Sequence, residues 1–352
     1  MKLLVLILLF SVILCSCASA KEDNLKYSGI LAASEFTPGE NRVPFGLVSM
    51  NGDFLENADV TVKIAKLEDQ GWKVTEEKKP QWHVIKGITP HKHPDGEVHL
   101  HLDFQGIYIL KDVYFDSAGV WSLNFSIADG TPTEEAVFRV KETGSAPKVG
   151  EAVIPTRNLT ISQVDNFNEI SSRAVLQDGM HDYSVADALE LNEPFVVFFA
   201  SPQFCITALC GPVTDTLEAA KIALDDRVIF IHIEPWDLTV ARNEGKLVKS
   251  RAMEQWRLPS EPWTFIVDHQ GVITERFEGI VTENEILDSV NRLLDSIPIR
   301  RPISNAIATP TLARMIISKP LIRAFPLLRA ALQLPIAKRA APVNAKEAIS
   351  AF

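Results

Sequence analysis

The spacing of apolar residues changes character near residue 150, and this change limits the folds open to the chain. Between residues 43 and 140 apolar and polar residues alternate, as in Val60-Thr61-Val62-Lys63-Ile64, which predicts strands with one face in a core and the other in water. Beyond residue 158, continuous apolar runs followed by helical spacing predict strands covered on both faces by helices. A chain of 352 residues is long enough for two cores. We therefore predict a mixed fold, an all-β domain followed by an α/β domain.

The first pattern covers residues 28–143 and predicts a β-sandwich. Tight turns are indicated at Asn51-Gly52-Asp53 and at Ser117-Ala118-Gly119. The predicted strands run from Val43 to Ser49, Val60 to Leu67, Ile107 to Phe115, Val120 to Ile127 and Ala136 to Val140. Short strands separated by turns in this way resemble an immunoglobulin-like sandwich.

A stretch that begins with Gly144-Ser145-Ala146-Pro147, residues 144–157, is predicted to link this sandwich to a second domain at residues 158–298. The order predicted there is β-α-β followed by β-β-α. Its elements are a strand from Phe195 to Ala200, a helix through Val213 and Leu224, strands from Val228 to Ile233, Trp263 to Val267 and Val272 to Phe277, and a helix opened by the capping box Thr282-Glu283-Asn284-Glu285.

Over roughly residues 160–297 this second domain resembles the thioredoxin-like superfamily. Two cysteines stand where the first strand leads into a helix, and the run from Pro262 to Asp268 is similar to the strand that follows the family's cis-proline. The resemblance implies a cis peptide bond before Pro262. It also implies that Pro262 lies against the cysteines and, with Trp263, binds extended substrate backbone. Pro259 lies one step too far from the strand for this role.

The two cysteines, Cys205 and Cys210, are separated by four residues, whereas the family's usual motif has two. Residues five apart on a regular helix have Cα atoms about 8.6 Å apart, beyond the limit of roughly 7 Å for a disulfide. Because proline is tolerated in the first turn of a helix, we expect a helix that starts near Gly211 or Pro212, with both cysteines in the preceding loop. A Cys205–Cys210 disulfide is then feasible, and we predict it.

Two assignments of the cysteine roles remain open. Cys210-Gly211-Pro212-Val213 resembles the family's Cys-Gly-Pro-Cys with valine in place of the second cysteine, which would make Cys210 the attacking thiol. Alternatively, Cys205 attacks and Cys210 resolves, as in the Q-type peroxiredoxins, which share the four-residue gap. In either case the predicted function is that of an extracytoplasmic thiol-disulfide oxidoreductase-like protein, whose partners are protein thiols or disulfides and whose chemistry requires no cofactor.

Three other functions compete with this one. The disulfide is purely structural in a non-catalytic thioredoxin-fold binding protein. A thiol peroxidase would carry a threonine three residues before an attacking Cys205, where this chain has Pro202, and Thr207 follows the cysteine instead. A copper-handling protein would need a distant histidine ligand, but His232 falls on a strand that we expect to be central and buried.

The N-terminus has the layout of a secretory signal, residues 1–20. Lys2 is followed by an apolar run from Leu3 to Leu14 that is too short to span a membrane. The sequence Leu14-Cys15-Ser16-Cys17 resembles a bacterial lipobox, with Cys17 as the lipidated residue, so we predict an exported protein that is anchored to a membrane. Cleavage at Ala18-Ser19-Ala20 would instead give a secreted or periplasmic soluble protein. Export matters because a cysteine pair tends toward the disulfide outside the cytosol.

Five of the eight histidines lie between residues 83 and 101. Two strands joined by a turn at Pro94-Asp95-Gly96 would bring the rings of four of them together. Imidazoles in this arrangement suit Cu(II) or Zn(II), with Asp95 or Asp103 as an oxygen ligand. The four candidate metal ligands are His91, His93, His99 and His101. The alternative is a polar loop whose histidines face water.

Charge separates the C-terminal tail, residues 299–352, from the rest of the chain. Residues 300–352 contain nine Lys or Arg and the single acid Glu347, whereas the whole chain carries a formal charge of −10. The acidic body argues against nucleic acid as a partner. Prolines would divide any helix in the basic tail into short segments. The tail is predicted to lie on an anionic membrane surface or to bind to the acidic body of the protein.

Overall fold

The computed structural model of the protein describes residues 26–85, 91–92, 98–99, 105–173, 179–206, 209–225 and 227–296, with the backbone alone at 91–92 and 98–99. The predicted signal segment, Cys17 and the basic tail lie outside the described residues, and the statements about them stay predictions. Among the described helices, none is long and apolar enough to cross a membrane.

The N-terminal half contains eleven described strands. In chain order they are β1 Tyr27–Leu31, β2 Gly39–Ser49, β3 Val60–Glu68, β4 Gly71–Lys78, β5 Gln81–Val84, β6 His91–Lys92, β7 Val98–His99, β8 Gly106–Phe115, β9 Gly119–Ile127, β10 Thr133–Glu134 and β11 Ala136–Val140. Each of the five strands predicted from the apolar alternation is present, and β1, β4, β5 and β10 are strands that the sequence pattern did not reveal.

These strands form two larger sheets around one apolar core. The first sheet has the order β10-β1-β2-β8-β5 and the second the order β11-β9-β3-β4, while β6 and β7 pair with each other. Alternate residues of both sheets enter the same buried cluster. The Phe45 and Phe125 rings, whose centroids are 5.0 Å apart, join the two sheets directly. This half is therefore a two-sheet β structure with its core between the sheets.

The C-terminal half alternates strands with helices. After two short 3-10 turns, Ile161–Gln163 and Phe167–Glu169, its elements are α1 Val185–Leu191, β12 Phe195–Phe199, α2 Cys210–Ala223, β13 Ile229–Ile233, α3 Leu238–Glu244, α4 Arg251–Gln255, β14 Trp263–Val267, β15 Ile273–Glu278 and α5 Glu283–Ser296. The predicted strands and both predicted helices are present, while α1, α3 and α4 were not predicted. The described chain is thus of mixed α/β class.

One four-stranded sheet organises this half, in the order β13-β12-β14-β15. Strand β13 runs parallel to β12, whereas β14 is antiparallel to both β12 and β15. The sheet separates two buried clusters, and one of them contains Cys210 together with residues of α2 and α5. His232 lies on β13, which is an edge strand of this sheet, so the expectation that its strand is central was wrong.

The segment 144–157, predicted as a linker, is packed against the α/β sheet. Its Ala146 and Val153 side chains are buried in the cluster that lies on the far side of the sheet from Cys210. The Gly150 N–H donates to the Ile273 carbonyl at 2.8 Å, and the Val153 N–H donates to the Gly271 carbonyl at 2.8 Å. This segment therefore fixes the end of one domain to the start of β15.

Apolar and ionic contacts join the two halves, whose described residues belong to one compact unit. Ile107 and Ile109 on β8 enter the cluster that also contains Ile286 of α5. The Arg42 guanidinium on β2 binds the Glu285 carboxylate of α5 through two hydrogen bonds, at 2.6 and 3.0 Å. Because this pair and the apolar contact are buried, the β sheets and the α/β sheet pack as one body rather than as two separate modules.

Candidate active site

The loop that carries the first cysteine connects β12 to α2. Cys205 lies in this loop and Cys210 is the first residue of α2. The helix thus begins near Gly211 and Pro212, as predicted, but it includes Cys210. Only Cys205 lies in the preceding loop, so the expectation that both cysteines precede the helix was wrong. Pro212 fits within the first turn because the N–H group it lacks would have had no partner inside the helix.

The two sulfur atoms lie together at the N-terminus of this helix. The Cys205 Sγ is 2.7 Å from the Cys210 Sγ and accepts a hydrogen bond from the Cys210 backbone N–H at 3.2 Å. No disulfide bond joins the two cysteines in this structure, so the predicted disulfide stays a prediction, although the sulfur atoms are already in contact. The backbone N–H groups of a helix N-terminus favour a thiolate beside them.

The surroundings of the two thiols are unequal. Cys205 is half-buried and is followed by Ile206, whose side chain is 66% exposed, whereas Cys210 is fully buried. Burial raises the pKa of the Cys210 thiol well above its usual value, and the neighbouring Cys205 and Glu261 raise it further. A reagent in solution therefore reaches Cys205 first, and Cys210 retains its proton more strongly than an ordinary cysteine thiol does.

Glu261 is a third member of this site, and the sequence reasoning missed it. One carboxylate oxygen, Oε1, accepts a hydrogen bond from the Ile206 N–H at 2.8 Å. The carboxylate and both sulfur atoms lie within 4.8 Å of one another. Burial raises the pKa of Glu261 to about 7; the Cys205 thiol adds to this rise, and the Ile206 N–H opposes it. The site thus places an acid with a pKa near neutrality beside two thiols.

Strand pairing explains why these distant residues meet. Phe199, the last residue of β12, is directly opposite Trp263, the first residue of β14. The loop that leaves β12 and the loop that enters β14 therefore lie at the same end of the sheet. Glu261 immediately precedes Pro262, so a non-local sheet register brings it beside Cys205.

The Glu261–Pro262 peptide bond is cis, as the resemblance implies. Pro262 is buried, and its carbonyl accepts a hydrogen bond from the Gly279 N–H at 2.9 Å. The Trp263 indole is 1% exposed and stacks on Phe265 in the cluster that lies on the other face of the sheet from Cys210. The predicted role of Trp263 in binding substrate backbone stays a prediction.

The N-terminal half contributes to the support of this proline loop through Glu278, at the end of β15. The Ser260 hydroxyl donates to the Glu278 carboxylate at 2.6 Å. On the other side, the Ser34 hydroxyl donates to the same carboxylate at 2.6 Å and the Glu35 N–H donates to it at 2.8 Å. Ser260 in turn accepts a hydrogen bond from the Trp263 indole at 3.1 Å. The loop before Glu261 is thereby tied to both halves of the molecule.

A second buried acid, Glu234, lies behind the cysteine loop. Its Oε1 accepts a hydrogen bond from the Ser172 N–H at 2.6 Å, and the Ser172 hydroxyl accepts one from the Gln203 N–H at 3.2 Å. Burial raises the pKa of Glu234 to about 7, against the opposing effects of the nearby Ser201 and Ser172 and of the Arg242 charge. The only sequence signal for it is a glutamate that directly follows the apolar strand β13.

The remaining predicted site residues are placed as follows. His91 and His99 are directly opposite each other in the β6–β7 pair, which agrees with two paired strands. The structure does not describe the side chains of these two residues, and both His93 and His101 lie outside the described residues. Thr207 also lies outside them. The His232 Nε2 forms a hydrogen bond with the Ala200 carbonyl at 2.8 Å, and its ring stacks on Phe198.

Within the described part of the chain, the side chains of Cys205, Cys210 and Glu261 form the one group whose ligand atoms are close enough to hold a metal ion. Two thiols and a carboxylate at this spacing can exchange disulfides or bind a thiophilic cation. The chain matches no protein-family model, and no curated protein is significantly similar to it in sequence.

Proposed function

We propose that the protein is a thiol-disulfide oxidoreductase that acts on protein thiols or disulfides outside the cytosol. The observation that carries this proposal is the pair of unequal thiols in contact at a helix N-terminus, Cys205 half-buried and Cys210 fully buried. A structural disulfide that only crosslinks a loop does not require an accessible sulfur atom beside the N–H groups of a helix. Thiol-disulfide exchange, in contrast, requires an accessible thiolate.

The architecture supports a thioredoxin-like assignment for the α/β half. Its sheet order, its two central antiparallel strands and the cis bond before Pro262 agree with that superfamily. The two-sheet N-terminal half supports an immunoglobulin-like assignment in the same way, since its core lies between two mainly antiparallel sheets.

In the proposed reaction the Cys205 thiolate attacks one sulfur of a substrate disulfide. A Cys205–substrate disulfide forms and the other substrate sulfur leaves as a thiolate. Cys210 then passes its proton to Glu261 and attacks the Cys205 sulfur, which releases the second substrate thiolate and forms the Cys205–Cys210 disulfide. The substrate gains two electrons that the cysteine pair loses, and the reverse sequence oxidises a dithiol.

This scheme assigns the attack to Cys205 rather than to Cys210. The assignment rests on exposure, because a buried thiol with a raised pKa is both hard to reach and weakly ionised. Glu261 is suited to accept the proton of Cys210 because its carboxylate lies within 4.8 Å of that sulfur.

Trapping of the mixed disulfide tests the proposal and the assignment together. The Cys210→Ser variant should retain a disulfide-bearing substrate protein on Cys205, visible as a band that disappears on reduction, while Cys205→Ser should retain none. In glutathione buffers the wild-type chain should change from two alkylated thiols to none as the buffer becomes oxidising. Trapping by Cys205→Ser alone would reverse the roles. If the pair stays unreactive toward glutathione and alkylating reagent unless the chain is denatured, the disulfide is structural and the proposal fails.

The location outside the cytosol belongs to the same proposal. It is supported by the apolar run after Lys2 and by the lipobox that ends at Cys17. Metabolic labelling with a fatty acid should mark the wild-type chain and not a Cys17→Ser variant; equal labelling of both would exclude lipidation at this residue.

A further inference from the structure

The sulfur atoms of Cys205 and Cys210 and the carboxylate of Glu261 converge from two separate segments of the chain. The cysteines come from the loop after β12 and the start of α2, and Glu261 comes from the loop before β14. Their ligand atoms lie within 4.8 Å of one another. Two sulfurs and one carboxylate oxygen at this separation provide three of the four corners of a tetrahedral site.

Backbone groups already orient two of these ligands. The Cys210 N–H donates to the Cys205 sulfur at 3.2 Å, and the Ile206 N–H donates to Glu261 Oε1 at 2.8 Å. Hydrogen bonds of this kind fix the direction of metal ligands and strengthen the site. The donors belong to the loop and helix that carry the cysteines, so the same segment that supplies the sulfurs also positions the carboxylate.

The charges of the site also favour a cation. Its three side chains are all acids, and their ligand atoms lie within 4.8 Å of one another. The nearby Lys249 donates its Nζ–H to the Leu258 carbonyl at 2.7 Å. A divalent ion that replaces the protons would relieve the repulsion among the three ligands.

We propose that the reduced protein binds one Zn(II) ion through Cys205, Cys210 and Glu261, with the fourth position open on the solvent side of Cys205. Two thiolates with a hard carboxylate oxygen suit Zn(II) better than Cu(I), which prefers sulfur alone. Tetrahedral zinc needs a sulfur–sulfur distance of about 3.7 Å, against 2.7 Å here. The half-buried Cys205 side chain supplies this movement by rotating outward.

This zinc site is separate from the predicted histidine site, and it does not depend on the exchange reaction. The proposed exchange can fail while the dithiol still binds zinc, and zinc binding can fail while the dithiol still exchanges. Where both hold, zinc occupies the reduced form only, since a disulfide offers no thiolate.

A competition titration tests the proposal. The reduced full-length chain is stripped of metal and titrated without oxygen with Zn(II) against a chromophoric chelator. The difference between the zinc bound by the wild type and the zinc bound by Cys205→Ser or Cys210→Ser gives the occupancy of this site. Zinc bound by the histidine-rich segment is common to all three chains and does not enter this difference. We expect one such ion per chain and an affinity at least about tenfold lower in Glu261→Gln. Glu254→Gln, an exposed acid on α4, is the matched control and should bind as the wild type does.

Two results would overturn the zinc site. If Glu261→Gln, folded by its circular dichroism and thermal transition, binds zinc as tightly as the wild type, the thiols alone chelate the ion. If no zinc depends on the cysteines, there is no site. Co(II) gives a second readout on the unmutated chain, because tetrahedral coordination with two thiolates produces sulfur-to-cobalt charge-transfer absorption. A spectrum of octahedral cobalt without that absorption would also exclude the proposed ligands.

Discussion

Glu234 and Glu261 are two buried carboxyl groups at one end of a sheet, and both have a pKa of about 7. A raised folded-state pKa means that the folded protein holds the proton more tightly than the unfolded chain. The stability that each group contributes is therefore complete below its unfolded pKa, near 4.5, and is lost as the pH rises through about 7.

Replacement of Glu234 by glutamine should remove part of this pH dependence. The variant has no proton to lose, whereas in the wild type the shift from 4.5 to about 7 corresponds to a loss on the order of 3 kcal/mol between pH 5 and pH 8. Urea unfolding at four pH values measures the slope of the unfolding free energy against pH. Glu193→Gln, at an exposed position before β12, should keep the wild-type slope. An unchanged slope in Glu234→Gln would show that this carboxyl group is already ionised at pH 5.

At the same scale, the cysteines and the cis-proline could be identified as site residues from the sequence, whereas Glu261 and Glu234 could not. A cysteine pair and a proline before an apolar strand are local patterns. The place of Glu261 depends on the opposition of Phe199 and Trp263 in the sheet, and no short-range pattern encodes that register. The burial of the Trp263 indole follows from which face of β14 it occupies, which the sequence pattern left undetermined.

Strands and helices were predictable to the extent that their apolar residues are periodic. The strand from Trp263 to Val267 has the predicted bounds, and the amphipathic α5 follows its capping box at Thr282. The short helices α1, α3 and α4 have five to seven residues, too few turns for a clear apolar stripe. Ser184, which caps α1 together with Asp187, was the signal that could have revealed the first of them.

A largely buried ion pair joins β2 to α5. Arg42 binds both carboxylate oxygens of Glu285, and the Thr282 N–H and hydroxyl bind one of them. Burial alone would raise the pKa of Glu285, but the Arg42 charge and hydrogen bond, together with Thr282, hold it below its usual value. The stability from this depressed pKa is present above the unfolded pKa and is lost as the pH falls through the folded value.

A double-mutant cycle on Arg42→Ala and Glu285→Gln should give a coupling free energy of about 2–3 kcal/mol, because either single change leaves a buried charge without its partner. The pair Arg157–Glu190, at 3.4 Å with both side chains at least 70% exposed, is the control and should give less than about 0.5 kcal/mol. Chemical unfolding of the four chains in each cycle measures both values. Equal couplings would mean that water reaches Arg42 and Glu285.

At the scale of the whole molecule, the two halves are in close contact at Gly279. Its φ is +75°, and an added Cβ would lie 1.8 Å from the Ala32 carbonyl oxygen. The same residue donates its N–H to Pro262. The segment after β1 and the proline loop of the candidate site are therefore in contact through a position that has no room for a side chain.

Gly279→Ala should destabilise the protein by at least about 2 kcal/mol more than Gly150→Ala does. Gly150 has a similar φ of +87° but nothing within 4 Å of an added Cβ, so it isolates the backbone cost that both variants share. Thermal or urea unfolding compares the two variants. A similar loss of stability in both variants would mean that the segment around Ala32 moves aside at little energetic cost and that the two halves are only loosely joined.

The contact between the two sulfur atoms also determines how the protein would withstand peroxide. A first oxidation converts the accessible Cys205 to a sulfenic acid, which a nearby thiol captures by expelling water. Cys210 is already 2.7 Å away, so on the proposed reaction scheme the capture would precede a second encounter with oxidant. The irreversible sulfinic and sulfonic acids would thereby be avoided at Cys205, while the core that surrounds Cys210 shields that thiol.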